Sequence, residues 1–371
     1  MQTYRNPVEL FTGEGSLSAL RRLLANESYL LLTHPGAVFA QAAQKVERAA
    51  GHAPLAIIAE VADNPDPQNL SMLCERLRAA PERPTCLVAL GGGSVIDACK
   101  VLSATRGDFN ALAPLLDGRA IESVIPYVAI PTTAGTGSEV TSWATVWDPA
   151  SDRKHSLADP LLYARAAIME PELTVSLPRA LTISTALDAL SHSFESLWNR
   201  NRNPVSSVLA IAAARRIIDT LPRVLAAPCN LAWRQALQEA ALQAGLAFSN
   251  TKTSLAHNIS YPITMQKGVP HGIACSITLP MLVRSISPDE PVATDIEAIL
   301  GVPLADAGDA LESFFAAIGI DTDPRSYGYE AGTWHVLVAE AAQGQRGRNF
   351  NGNVARVQAL YDQHFTREFS R

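Results

Sequence analysis

Short, almost continuously apolar runs punctuate the first half of the chain: Tyr29-Leu30-Leu31-Leu32-Thr33, Leu55 to Ala59, Cys86 to Leu90 and Tyr127 to Ile130. They lack the polar–apolar alternation of a strand with one wet face, so they predict parallel strands covered by helices on both sides. Between them, Ser16–Leu24 and Pro67–Leu77 have helical texture. Strand, helix and strand repeated in this order predict a Rossmann-like, doubly wound parallel sheet. After about residue 178 the apolar positions recur at three- and four-residue spacing, which predicts helices to the end of the chain. Pro178 suits a helix start, where its missing N–H costs nothing. Breaks at Asn201–Pro204, Gly268–Pro270 and Asp321–Gly328 separate the predicted helices. The expectation is an α/β domain over residues 1–178 and an all-helical domain over 179–371.

Composition narrows the function classes. A length of 371 residues suits two domains with cores of their own, and 47% hydrophobic residues exclude a disordered chain. The net charge of −6, with no Lys/Arg block, argues against a nucleic-acid partner. No run approaches the ~20 apolar residues of a membrane span, and no basic-then-apolar leader is visible. The five cysteines are scattered without a Cys-x-x-Cys pair, as in a reducing cytoplasm, and read as small buried hydrophobes. The expected location is cytoplasmic.

Two loops carry candidate chemistry. The third apolar run passes into Gly91-Gly92-Gly93-Ser94 and then into a helical stretch containing Asp97 and Lys100. Glycines allow close backbone approach, and a helix start presents free N–H groups to an anion, so this is a candidate pyrophosphate seat. The fourth run ends in Pro131-Thr132-Thr133-Ala134-Gly135-Thr136-Gly137-Ser138-Glu139, rich in hydroxyls that donate to phosphate, ribose or amide oxygens. Two such loops at the carboxyl ends of strands lie where open α/β sheets bind ligands.

In the helical half, Asp188 and His192 lie four residues apart, on one face of a helix. His257 and His271 follow. Singly, each histidine reads more readily as a surface or satisfied core residue than as a ligand. Together, one carboxylate and three imidazoles form a donor set for iron or zinc.

The glycine loop with Asp97 and Lys100, the string Pro131 to Glu139, Asp188-Ala-Leu-Ser-His192, His257 and Pro270-His271-Gly272 together resemble the iron-containing (group III) alcohol dehydrogenase family. The resemblance covers nearly the whole chain. It implies a dehydroquinate synthase-like fold with a nucleotide domain, a helical metal domain and an active site between them. It further implies Fe2+, or Zn2+ or another divalent metal, on Asp188, His192, His257 and His271, with NADH or NADPH as hydride carrier. Gly92, Gly93, Ser94 and Asp97 would face the pyrophosphate, and Thr132, Thr133 and Ser138 the phosphate, ribose or nicotinamide.

Departures from the family pattern are informative. Tyr261 stands where relatives carry another histidine near the nicotinamide; it reads either as a proton donor or as pocket wall. Thr33-His34 replaces the carboxylate that would hold a ribose 2′-hydroxyl, so NADPH stays admissible. Asn349-Phe350-Asn351 replaces Asn-Pro-Arg.

Ahead of His257 lie Asn250-Thr251-Lys252-Thr253-Ser254, with a cation and three hydroxyls. Lys252, with Lys154 and Arg153, is the candidate substrate-binding set, since lysine binds phosphate-like groups as a point charge. Local strings around Trp143–Asp148, Trp198–Ser206 and Phe248–His257 resemble the phosphonoacetaldehyde reductases within the family. The implied reaction is reduction of phosphonoacetaldehyde to 2-hydroxyethylphosphonate. A general short-chain alcohol dehydrogenase, or a metal-dependent lyase of the dehydroquinate synthase type, remains as an alternative. The expected partners are a small anionic aldehyde and a second copy of the chain in a homodimer.

Overall fold

A computed structural model describes residues 3–148 and 153–366. The chain divides into two compact units, one of Asn6–Leu177 with Cys229–Glu239, the other of Pro178–Pro228 and Ala240 onward together with the first five residues. The change of texture at residue 178 is thus a unit boundary. The segment Cys229–Glu239, which the sequence placed in the helical half, clusters with the α/β unit.

The α/β unit is built on strands β1 (Glu9–Thr12), β2 (Tyr29–Thr33), β3 (Ala56–Ile58), β4 (Cys86–Gly91), β5 (Tyr127–Pro131) and β8 (Ala166–Met169). They form one parallel sheet in the order β1-β8-β5-β4-β2-β3. Every residue of β2, β4, β5 and β8 is buried, which explains their unbroken apolar character. Helices α1 (Leu20–Leu23), α2 (Ala37–Ala50), α3 (Pro67–Arg78), α4 (Gly93–Thr105) and α5 (Leu112–Leu116) connect them. Asp66 caps α3 by accepting from the Asn69 N–H, with Pro67 at the first helical position. Strands β6 (Trp143–Asp148) and β7 (Arg153–Ala158) form a separate antiparallel hairpin.

Strand order reverses beside β2, whose neighbours are β3 on one side and β4 on the other. Such a reversal opens a crevice at the carboxyl ends of the strands. Thr33-His34 and Gly91-Gly92-Gly93 lie at those ends.

The helical unit contains α6 (Arg179–Leu197), α7 (Pro204–Ala226), the later part of α8 (Leu231–Thr251), α9 (Leu255–Lys267), α10 (His271–Ser276), α11 (Leu279–Ser285), α12 (Val292–Leu300), α13 (Leu304–Ala317), α14 (Ala331–Gln343) and α15 (Val354–Thr366). Asn203 and Ser206 form a reciprocal capping box that starts α7. Helix α6 is unusual: all residues from Thr182 to Leu197 are buried, as in a helix enclosed on every face. Helix α10 packs tightly on it. A Cβ on Gly272 would lie 1.8 Å from the Ser184 carbonyl oxygen, so only glycine admits this approach. No helix among the described residues is long and apolar enough to cross a membrane.

Candidate metal centre and cofactor loops

Helix α6 presents Asp188, His192 and Glu195 at i, i+4 and i+7, positions that share one face. Helix α9 supplies His257 and Tyr261, and α10 supplies His271 and Cys275. Asp188 Oδ1 lies 3.3 Å from His257 Nε2, 3.6 Å from His192 Nε2 and 4.0 Å from His271 Nε2. Cys275 joins the group: one ligand atom each from Asp188, His257, His271 and Cys275 falls within 4.8 Å of the others. The Cys275 thiol sits 3.6 Å from His271 Nε2.

These donors suit a divalent cation. Asp188 Oδ1 and His257 Nε2 are buried and have no hydrogen-bond partner among the described residues; His192 faces Asp188 through Nε2, and its unpartnered nitrogen is Nδ1, on the other side of the ring. A buried lone pair left without a partner costs free energy that a metal bond would offset. Burial pushes the Asp188 carboxyl up, but the three histidines outweigh it and hold Asp188 well below the usual carboxylate range. Burial, with the charges of His257 and Arg346, drives the His192 imidazole down to about 4 against the pull of Asp188. His192 is therefore a neutral donor at pH 7, and it stacks on Phe248 at 3.8 Å between centroids.

Glu195 is a site residue that sequence reasoning did not single out. It is fully buried; its Oε2 lies 2.5 Å from His257 Nδ1, and its Oε1 accepts from the His257 N–H at 3.1 Å. Burial raises a carboxyl, yet His257 outweighs that and Glu195 stays ionised. With Nδ1–H donating to Glu195, the neutral His257 imidazole would offer its Nε2 lone pair to a metal. The i+7 spacing from Asp188 was the available signal. Glu195→Gln is expected to weaken metal binding roughly 10–100-fold, measured by competition with a chromophoric chelator. An unchanged affinity would remove Glu195 from this role.

In the α/β unit, β4 and β5 are neighbours, and Gly91 pairs with Pro131. The two candidate loops therefore lie side by side. Thr132 N–H donates to the Gly91 carbonyl at 3.1 Å. A Cβ on Gly93 would come within 2.8 Å of Thr136 Cγ2, which ties the glycine to this packing. No side chain caps the start of α4, so its first N–H groups point outward uncapped, as in an anion seat. Ser94 Oγ accepts from the Asn64 N–H at 3.2 Å, and His34 Nδ1 lies 2.8 Å from the Val61 carbonyl oxygen.

Asp97 and Ser138, expected to face the cofactor, are bonded to each other: Ser138 Oγ donates to Asp97 Oδ1, and Thr145 N–H donates to Asp97 Oδ2 at 2.8 Å. Lys100 completes the cluster, donating to Ser138 Oγ and Thr141 Oγ1 at 2.9 Å each and to the Trp143 carbonyl at 2.7 Å. It is fully buried, and burial lowers its pKa to about 8 against the attraction of Asp97 and Glu139. These residues pin α4 to the threonine loop.

Burial raises the adjoining Glu139 carboxyl to about 7, opposed by a backbone hydrogen bond and Lys100. Between the ordinary carboxylate range and pH 7 the folded chain then keeps a proton that the unfolded chain has released. Stability should fall as pH rises through that window. Glu139→Gln should flatten the fall, read as thermal midpoints between pH 4.5 and 8; an equal slope in both proteins would contradict the assignment.

Lys252 is exposed and takes a left-handed backbone conformation (φ 65°), with its carbonyl accepting from Asn199 Nδ2 at 3.0 Å. Lys154 Nζ sits 5.3 Å from the Trp147 ring on the hairpin of the α/β unit. The Arg153 side chain lies outside what the structure describes.

Residues 7–171 match the iron-containing alcohol dehydrogenase family, and residues 182–365 match the C-terminal domain of the same family. The chain belongs to this family and is an iron-type, nicotinamide-dependent alcohol dehydrogenase or aldehyde reductase. Among particular relatives, it is 34% identical over 296 residues to the phosphonoacetaldehyde reductase of Streptomyces viridochromogenes, spanning 72% of this chain and 74% of that one. It is 32% identical over 262 residues to the NAD-dependent methanol dehydrogenase of Bacillus methanolicus, spanning 70% and 68%. The sulfoacetaldehyde reductase of Bifidobacterium kashiwanohense, solved with NAD+, superposes with a TM-score of 0.90 at 27% identity over 99% of each chain.

Proposed function

We propose that this enzyme reduces a small anionic aldehyde, phosphonoacetaldehyde, to 2-hydroxyethylphosphonate, with NADH or NADPH as hydride donor. The observation that carries the chemistry is the convergence of the buried, unsatisfied Asp188 Oδ1 and His257 Nε2 with His271 and Cys275, with His192 Nε2 3.6 Å from Asp188 Oδ1. Relatives that act on two-carbon aldehydes bearing a phosphonate or a sulfonate support the substrate class.

Asp188, His192, His257 and His271 would hold the cation, with Fe2+ as the first choice and Zn2+ as the second; the Cys275 thiol beside them adds a soft donor. When bound, the cation polarises a carbonyl oxygen and the nicotinamide supplies a hydride to the carbon. The chain's own contribution is placement. Glu195 keeps His257 in the right tautomer, and Gly272 lets His271 approach α6. The uncapped start of α4 with Gly92, Gly93 and Ser94 would seat the pyrophosphate, and Thr132 and Thr133 would line its far side. Tyr261 lies parallel to the His271 ring, 6.0 Å away, and serves as wall beside the reacting group. His34 stands at the carboxyl end of β2 with the exposed Asp63 carboxylate 3.8 Å from its Nδ1, a group that would accept from a ribose 2′-hydroxyl and repel a 2′-phosphate. Lys252 and Lys154 would draw the dianion by long-range attraction.

The test is steady-state kinetics with phosphonoacetaldehyde and propanal, each with NADH and NADPH, on metal-loaded enzyme. A higher kcat/KM for phosphonoacetaldehyde is expected. Preference for propanal would turn the reading to a general short-chain alcohol dehydrogenase.

A further inference from the structure

Resting on the anionic-aldehyde reading, we propose that Arg346 is the residue that binds the charged head of the substrate and sets the enzyme's preference for it. Arg346 stands between α14 and the short turn Gly347–Asn349. Its guanidinium is partly buried and held from one side: Nη1 donates to Thr253 Oγ1 at 2.7 Å. Thr253 is itself buried, and its carbonyl accepts from Asn349 Nδ2 at 2.9 Å. The guanidinium carbon lies 5.9 Å from the centre of the Tyr261 ring. That ring runs parallel to the His271 imidazole, 4° apart in plane. Tyr261 thus neighbours both a predicted metal ligand and the guanidinium.

The other partly buried arginines of this unit are neutralised. Arg202 pairs with Asp295 at 2.8 Å, Arg284 with Glu312 at 2.5 Å and Arg325 with Asp323 at 2.5 Å. Arg346 has no carboxylate partner among the described residues; its contacts there are one hydroxyl and one ring face. A guanidinium has five donors in a planar fork, and a single threonine uses one of them. The rest match a phosphonate or sulfonate, which takes two parallel hydrogen bonds. A charge held this way, half out of water, is costly unless an anion comes to it.

Lys252 is a weaker candidate for direct contact, because an exposed ammonium is screened by solvent and salt.

The experiment compares wild type, Arg346→Gln and Arg346→Lys by two readouts. The first is the ratio of kcat/KM for phosphonoacetaldehyde to that for propanal. The second is binding of ethylphosphonate, an unreactive anion, by calorimetry. Arg346→Gln should lower the ratio roughly 100-fold, mainly through KM, and weaken ethylphosphonate by a similar factor. Arg346→Lys should recover part of both. A ratio unchanged in Arg346→Gln, or equal losses on both aldehydes, would overturn the assignment. A wild type with no preference for the anionic aldehyde would instead sink the functional reading. In that case ethylphosphonate binding decides on Arg346 alone: no weakening in Arg346→Gln rejects it.

Discussion

Asp188→Ala is expected to lower kcat by roughly 1,000-fold or more and to leave purified protein with little bound metal. Asp188 Oδ1 faces His257, His192 and His271 at 3.3, 3.6 and 4.0 Å, and it is the carboxylate those three imidazoles share. Without it the centre offers neutral nitrogens and one buried thiol, so a dication loses its charge partner. Lewis-acid activation of a carbonyl is worth several kcal/mol, and each 1.36 kcal/mol is about tenfold in rate. Chelator treatment of the wild type should produce the same loss, restored by added Fe2+ or Zn2+. Metal content by mass spectrometry, set beside turnover, checks both. Near-normal turnover in metal-free Asp188→Ala would end the metal assignment.

The second large effect concerns stability. Lys100→Met should destabilise the α/β unit by about 3–5 kcal/mol, the usual consequence of removing one partner from a buried ion pair. The ammonium makes three hydrogen bonds, to Ser138, Thr141 and the Trp143 carbonyl, and sits 3.6 Å from Asp97. Methionine fills the volume but leaves Asp97 and Glu139 without their cation. Thermal unfolding should shift downward by on the order of 10 °C, and nucleotide affinity should fall because the glycine and threonine loops lose their pin. A midpoint equal to wild type would show that the cluster is redundant.

Much of this architecture was legible from pattern alone. The runs at Tyr29, Cys86 and Tyr127 became β2, β4 and β5 because strands buried on both faces have no polar positions to hide the signal. Four strands escaped. Strand β1 is an edge strand with mostly exposed residues, β8 begins with two alanines of low strand propensity, and the β6–β7 hairpin lacks a tight-turn signature. The Ser16–Leu24 helix is a short 3-10 turn followed by one turn of α-helix.

At the site, Asp188 and His192 were visible through helical spacing, and His257 and His271 through family resemblance. Glu195 was not, since a buried carboxylate and a surface one look alike in a sequence. Cys275, read as a small hydrophobe, is buried as expected, yet its sulfur faces His271. Asp97 and Ser138 were assigned to the cofactor because hydroxyls and carboxylates near a glycine loop commonly serve it. Only coordinates reveal that Lys100, three residues on, turns them inward. Arg346 has no local motif; its neighbours Thr253 and Tyr261 are more than eighty residues away along the chain.

The enclosure of α6 has a consequence for how the enzyme is charged with its ion. Asp188, His192 and Glu195 ride on a helix sheathed in packed side chains from Thr182 to Leu197. Their mutual placement is therefore set by the apolar interior, unlike small zinc domains that collapse only around their metal. Loading should resemble filling a finished mould: the stripped protein keeps its circular dichroism, and reactivation proceeds at the speed of ion entry, with no refolding phase.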